Sequence, residues 1–237
     1  MNFAWVNKTA LLLFLSLQLF YSNAFAKNVC LGKQIKIVEI GDSLTQGGGH
    51  PGEYSYRLPL SILLKNAGYD VDFVGTQHSG LNKSFKWPDG FDNDHEGFYG
   101  ATTAELARHL KTDLAKIPPS DVALIHLGTS DFGSYNVFKS VVMPMRSIIK
   151  HLRKQNPNIR ILISQIHLNG FKVKYFRLHL NLLAKYESTV ESPVDTVPDY
   201  VGFTAKDTID GMHPSLTGQK KMANAWFKSI NLICNKE

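Results

Sequence analysis

The sequence predicts an α/β protein built on a doubly wound parallel sheet. From residue 34 onward, short runs that are apolar throughout alternate with longer stretches of helical periodicity. Such runs have no polar alternate face, so each strand must be covered on both sides, which is the environment of a parallel strand between helix layers.

The elements follow in order. Residues 34–40 are expected as the first strand, 54–66 as a helix and 69–74 as the second strand. A polar, glycine-rich and aromatic loop over 75–99 leads to a helix over 102–116, and Pro118 and Pro119 separate that helix from the apolar run 121–127. A helix over 137–155 carries Pro144, a candidate kink; 160–166 is the fourth strand and 171–188 a long helix. A short strand around 199–202 makes five, and Ser215 can cap a last helix over 216–230.

Residues 1–26 stand apart. Lys8 is their only charge, 10–20 are mostly apolar, and Ala24-Phe25-Ala26 offers small residues at a cleavage position, so a secretory signal peptide is expected. The alternative is an uncleaved anchor, but the apolar core is shorter than the roughly 20 residues that cross a bilayer. Residues 27–237 are expected as one domain, and a monomer. This remainder has 25 basic and 20 acidic residues, a net charge of +5. The positives are dispersed over helices, so no nucleic-acid groove and no stable membrane span are expected. Cys30 and Cys234 are the only cysteines, and in an exported chain they are expected to pair across its two ends, two separate buried thiols being the alternative.

In an open parallel sheet, ligands bind beyond the carboxyl ends of the strands, where the strand order reverses. There the first strand runs into Gly41-Asp42-Ser43-Leu44 followed by Gly47-Gly48-Gly49, which lets the backbone turn tightly and approach a ligand. Ser43 is a candidate nucleophile, but a serine hydroxyl needs a base and the base needs an orienting group. Nine histidines are available. Context favours His213, because Asp210 three residues earlier can hold one ring nitrogen and leave the other facing the serine. Donors for an oxyanion are sought beside glycines, at Gly100 before a helix and Gly128 after the third strand. Asp42 is expected to brace the turn rather than to transfer protons.

These four stretches, Gly-Asp-Ser-Leu, the glycine at 100, Gly128-Thr129-Ser130-Asp131 and Asp210-Gly-Met-His213, in this order, resemble the SGNH or GDSL family of esterases and lipases. The resemblance implies a flavodoxin-like three-layer α/β/α sandwich with a five-stranded parallel sheet. It implies Ser43 as nucleophile, His213 as base, Asp210 as its orienter, and the Ser43 and Gly100 amides as oxyanion donors. One position departs: where the family has Asn, this chain has Ser130, a shorter donor, with Asn93 or Thr129 as possible substitutes.

Tyr56-Arg57, the 68–75 segment and Asp94-His95-Glu96-Gly97 are further similar to carbohydrate esterases that deacetylate xylan and related glycans. Trp87, Phe91, His95, Phe98 and Tyr99 either wall a ligand site or merely cover the sheet. The acidic 92–96 run lacks a spaced calcium loop, so no metal and no cofactor are expected. The expected activity is hydrolysis of short acetyl esters, probed against a lysophospholipase or thioesterase and a non-catalytic glycan-binding relative.

Overall fold

The computed structural model describes residues 30–134, 136–168 and 171–235; the expected signal peptide lies outside them. The apolar runs become β1 (Gln34–Gly41), β2 (Asp70–Val74), β4 (Val122–His126), β5 (Arg160–Ser164) and β6 (Val194–Val197), with a two-residue β3 (Glu96–Gly97). All pair in parallel, in the order β2-β1-β4-β5-β6, and β3 pairs with the last two residues of β1. The order reverses between β1 and β4, so the crevice a ligand would enter opens where these two strands end.

Alternate residues of each strand serve opposite faces, and both faces are apolar. Val38, Ile40, Ala123, Ile125, Ile161 and Ile163 pack into one core, beneath α3 (Thr103–Asp113), α4 (Met143–Gln155) and α5 (Phe171–Glu187). Ile35, Ile37, Val122, Leu124 and Leu162 pack into the other, beneath α2 (Arg57–Asn66) and α6 (Leu216–Cys234), where Trp226 is fully buried. This is the expected three-layer α/β/α sandwich. Truncating a central side chain such as Leu124 would cost about 2–5 kcal/mol through lost transfer energy and a residual cavity.

Local chemistry sets the helix ends. Thr102 caps α3 and Glu105 reaches back to the Thr102 amide, a reciprocal capping box. Ser215 caps α6 as expected. Pro144 lies in the first turn of α4, where a missing N–H leaves nothing unpaired, and the expected kink is a π-helical turn over Phe138–Val142 just before it. Cys30 and Cys234 are joined, tying the entry to β1 to the end of α6 across 204 residues.

One strand lies elsewhere than expected. The fifth full-length strand is Val194–Val197, in register with Ile161–Ser164, and 199–202 is a turn closed by Val201 N–H to Pro198 O and Phe203 N–H to Tyr200 O. Pro198 cannot donate to a ladder, and the Asp199 side chain is drawn inward to His126 and Ser164. The sheet also has the extra β3, within the segment expected to be loop.

Candidate active site

The nucleophile turn is built by its own residues. Asp42 caps α1 (Ser43–Gln46): its Oδ1 accepts from Leu44 N–H at 3.0 Å and its carbonyl accepts from Thr45 and Gln46. Asp42 is fully buried, and burial raises its carboxyl pKa above the ordinary value, offset in part by the charge of His126 and the Leu44 hydrogen bond. Gly47 follows at φ +66°, and a Cβ on it would sit 2.8 Å from the Glu53 carbonyl, so only glycine closes this turn.

Arg57, fully buried, holds the turn from behind. Its Nε donates to Thr45 O at 2.7 Å and its Nη2 to Gln46 O at 3.3 Å and Asn93 Oδ1 at 2.7 Å, while its guanidinium lies 4.9 Å from the Trp87 ring centre. Tyr56 OH meets Thr45 Oγ1 at 3.1 Å. The Tyr56-Arg57 pair thus fixes the nucleophile helix to the aromatic loop.

The second half of the site comes from the loop before α6. Asp210 Oδ1 accepts from the Met212 and His213 amides at 3.0 and 2.7 Å, and Oδ2 lies 2.7 Å from His213 Nδ1. Partial burial disfavours the Asp210 carboxylate, but the ring and the two amides outweigh it and hold this carboxyl well below the usual range. An ionised carboxylate only accepts, so Nδ1 carries the hydrogen and Nε2 is the free acceptor. Nε2 lies 3.1 Å from Ser43 Oγ. Residues 170 positions apart in the chain therefore meet in one hydrogen-bonded line at the β1/β4 crevice.

The loop is anchored from below. His167 Nε2 donates to the Met212 carbonyl at 2.8 Å, and burial lowers this imidazole to about 4, so it stays neutral with a fixed tautomer. Beside it, His126 Nε2 and Ser164 Oγ both reach Asp199 Oδ2, at 3.2 and 2.8 Å.

The remaining expected residues fall into two groups. Gly100 (φ +75°) precedes α3, on the segment joined to the nucleophile turn by Phe98 N–H to Gly41 O and Tyr99 N–H to Gln46 Oε1. Among the described residues no acceptor takes the Ser43 or Gly100 amide hydrogen. Ser130 is exposed and its hydroxyl makes no hydrogen bond among the described residues, while its neighbour Asp131 binds the Thr103 amide and hydroxyl at 2.9 and 2.7 Å. Gly128 faces α5: a Cβ there would strike the Phe176 ring at 2.1 Å. Asn93, weighed as a substitute donor, gives its amide to His78 O at 2.9 Å and is committed to Arg57.

Of the five loop aromatics and imidazoles, only Tyr99 touches the Ser43–His213–Asp210 line. Its ring lies over the imidazole at 5.4 Å and 14°, with its hydroxyl 3.0 Å from Nε2. Trp87 stacks on Phe91, Phe98 meets His109, and His95 is buried between Ser79 O and Gly97 N–H. The 92–96 side chains are likewise spent on protein partners: Asp92 on Phe73, Asp94 on His78, Glu96 on His109. The role of Tyr99 had no signal in the sequence beyond its being next to Gly100. A cleft of about 410 Å³ is lined by Phe132, His167, Phe203, Thr208 and Met212, without Ser43, His213 or Asp210 in its lining. A larger one of about 670 Å³ between α2, β2 and the aromatic loop lies away from the line.

A hydroxyl, an imidazole and a carboxylate in line at the crevice of a doubly wound sheet form an arrangement with which serine hydrolases carry out acyl transfer. The sequence profile of the GDSL-like lipase/acylhydrolase family matches residues 40–221, and the chain belongs to that family. It is 28% identical to a multidomain esterase of Ruminococcus flavefaciens over 83% of its own length, and spans 28% of the length of that relative. Its fold is similar to a family 3 carbohydrate esterase of Clostridium thermocellum (TM-score 0.70, 29% identity, 83% of this chain and 94% of the other). It is also similar to a family 3 carbohydrate esterase from Talaromyces cellulolyticus (TM-score 0.72, 23% identity, 84% and 98%). No helix among the described residues is long and apolar enough to cross a membrane.

Proposed function

We propose that the protein is an exported serine esterase that removes short acyl groups, acetate foremost, from carbohydrate. The observation that carries this is the unbroken line from Asp210 through His213 to Ser43. Ser43 Oγ attacks the ester carbonyl as Nε2 takes its proton, the oxyanion is received by the Ser43 and Gly100 amides, and the alcohol leaves with the proton from Nε2. Water then repeats the sequence on the acyl-enzyme, and Asp210 stabilises the imidazolium in both halves. Ser130 has only a short hydroxyl where the family's Asn donates, so it is the weakest member of this oxyanion site.

Carbohydrate as substrate is supported by the names of the similar esterases. Export through residues 1–26, with 27–237 as one monomeric domain, is supported by the Cys30–Cys234 disulfide, a bond that persists in oxidising compartments.

The test is hydrolysis of p-nitrophenyl esters of increasing chain length. Acetate is turned over, activity falls steeply beyond butyrate, and Ser43→Ala lowers kcat by about 10⁵-fold or more. Hydrolysis that survives Ser43→Ala overturns the mechanism. A profile that rises with chain length replaces the deacetylase by a lysophospholipase or thioesterase, and glycan binding without hydrolysis replaces it by a binding module.

A further inference from the structure

Two hydroxyls converge on one lone pair. Tyr99 OH lies 3.0 Å and Ser43 Oγ 3.1 Å from His213 Nε2, which has a single acceptor position because Asp210 holds the hydrogen on Nδ1. Tyr99 is not there by accident of a loose loop. Its amide donates to Gln46 Oε1 at 2.7 Å, in the nucleophile helix itself, and its ring is stacked on the imidazole. Space for the hydroxyl depends on Gly49, where a Cβ would stand 2.9 Å from it.

The catalytic cycle gives that hydroxyl a task. Once Nε2 has taken the Ser43 proton it is a donor and no longer an acceptor, so the phenol loses its partner. At the same moment the ester's alcohol oxygen must come within hydrogen-bond distance of Nε2 to receive the proton, and so it comes within reach of a hydroxyl that is itself 3.0 Å from Nε2.

We propose that Tyr99 is a further catalytic residue, whose hydroxyl donates a hydrogen bond to the oxygen that leaves with the alcohol. As the tetrahedral intermediate collapses, the carbonyl re-forms and the bond from carbon to the alcohol oxygen breaks, its electron pair staying on that oxygen. The proton on Nε2 transfers to it, Tyr99 keeps its own proton, and His213 returns to the neutral form. Burial pushes the Tyr99 hydroxyl up to about 12, with the charges of Glu53 and Asp210 acting in the same direction, so the phenol stays a donor at neutral pH. The consequence is selectivity for unactivated esters. A sugar or alkyl alcohol departs as a strongly basic oxygen that gains most from a second donor, whereas nitrophenolate spreads its charge over its own ring.

The proposal rests on Ser43 and His213 acting as described above, and the experiment separates the two. Tyr99→Phe removes one oxygen and keeps the stacked ring. Its kcat/KM is measured on p-nitrophenyl acetate and on ethyl acetate or acetylated xylo-oligosaccharide, beside wild type and Ser43→Ala. The loss on the unactivated acetates is expected to exceed that on p-nitrophenyl acetate by about 10- to 100-fold, the worth of a hydrogen bond to a charged group. Gly49→Ala, which crowds the hydroxyl without touching the serine, is expected to give the same bias. Equal loss on both ester classes, no loss, or a gain in rate from releasing Nε2 overturns the role of Tyr99 while leaving the Ser43 mechanism standing; activity that survives Ser43→Ala overturns both.

Discussion

Two histidine–aspartate pairs occupy the same end of the sheet, and only one of them sets its imidazole against a serine hydroxyl. His213 and Asp210 meet at 2.7 Å in a surface loop, with the Asp210 side chain 42% exposed. His126 and Asp199 meet at 3.2 Å with no exposure at all, on the strand ends that the loop covers. The chemistry of the pairs is alike; their surroundings are not. Asp210 spends its other oxygen on two backbone amides of its own loop, so it orients His213 and leaves Nε2 toward Ser43. Asp199 offers one oxygen, Oδ2, to both Ser164 and His126, so it stitches β4 and β5 to the chain leaving β6. A carboxylate beside an imidazole becomes catalytic machinery only where a nucleophile and a substrate can both reach it.

Breaking the outer pair should have the largest effect, and on activity alone. His213→Ala is expected to lower kcat on p-nitrophenyl acetate by about 10⁵-fold or more with the fold retained by circular dichroism, because the residue lies outside both apolar cores. Breaking the inner pair should do the reverse. Asp199→Ala leaves a buried imidazole and a buried hydroxyl without their acceptor, a loss of about 3–5 kcal/mol in urea denaturation, while the folded fraction keeps most of its activity. A normally stable but inactive Asp199→Ala protein would mean that the inner pair belongs to the chemistry, and the contrast between the two would collapse.

A smaller effect sharpens the contrast through pH. Burial opposes the charged form of His126, but the hydrogen bond and charge of Asp199, with Asp42, outweigh it and raise this imidazole above its ordinary 6.5. A raised folded-state value means that the stabilisation is complete below 6.5 and is lost as pH climbs through the folded value. Glu39, buried in β1, is raised by burial from 4.5 to about 8 and acts in the same sense, because the folded state holds a proton that the unfolded chain has released. Up to about pH 6.5 the buried His167 and His95, both lowered by burial, act in the opposite sense, so the decline in unfolding free energy should show between about pH 7 and about pH 9. Glu39→Gln should remove the part complete by about pH 8, and Asp199→Ala should remove the part due to His126. A stability curve flat across that range would contradict both assignments.

Much of this was readable before folding, for a consistent reason. Strands apolar on both faces, such as Val122–His126, can only lie between two helix layers, so the architecture follows from composition within short windows. The fifth strand was misplaced because 194–197 and 199–202 are each short and mixed; pairing with β5 and the missing donor of Pro198 decide between them. Ser43, Asp210 and His213 stood out because each carries a local pattern. Arg57 and Tyr99 were visible only as part of the Tyr56-Arg57 similarity and of the aromatic loop, since what each meets across the chain, a carbonyl or a ring, has no local pattern.

The sequence by itself determined the layers, the nucleophile turn and the acid three residues before its histidine, because these depend on backbone geometry and neighbours along the chain. Tertiary structure decided the 3.1 Å meeting of His213 with Ser43, that the exposed Ser130 hydroxyl makes no hydrogen bond among the described residues, and that Tyr99 shares the acceptor of His213. Those are distances between segments far apart in the chain, and they are fixed by the register of the strands and the packing of the loops upon them.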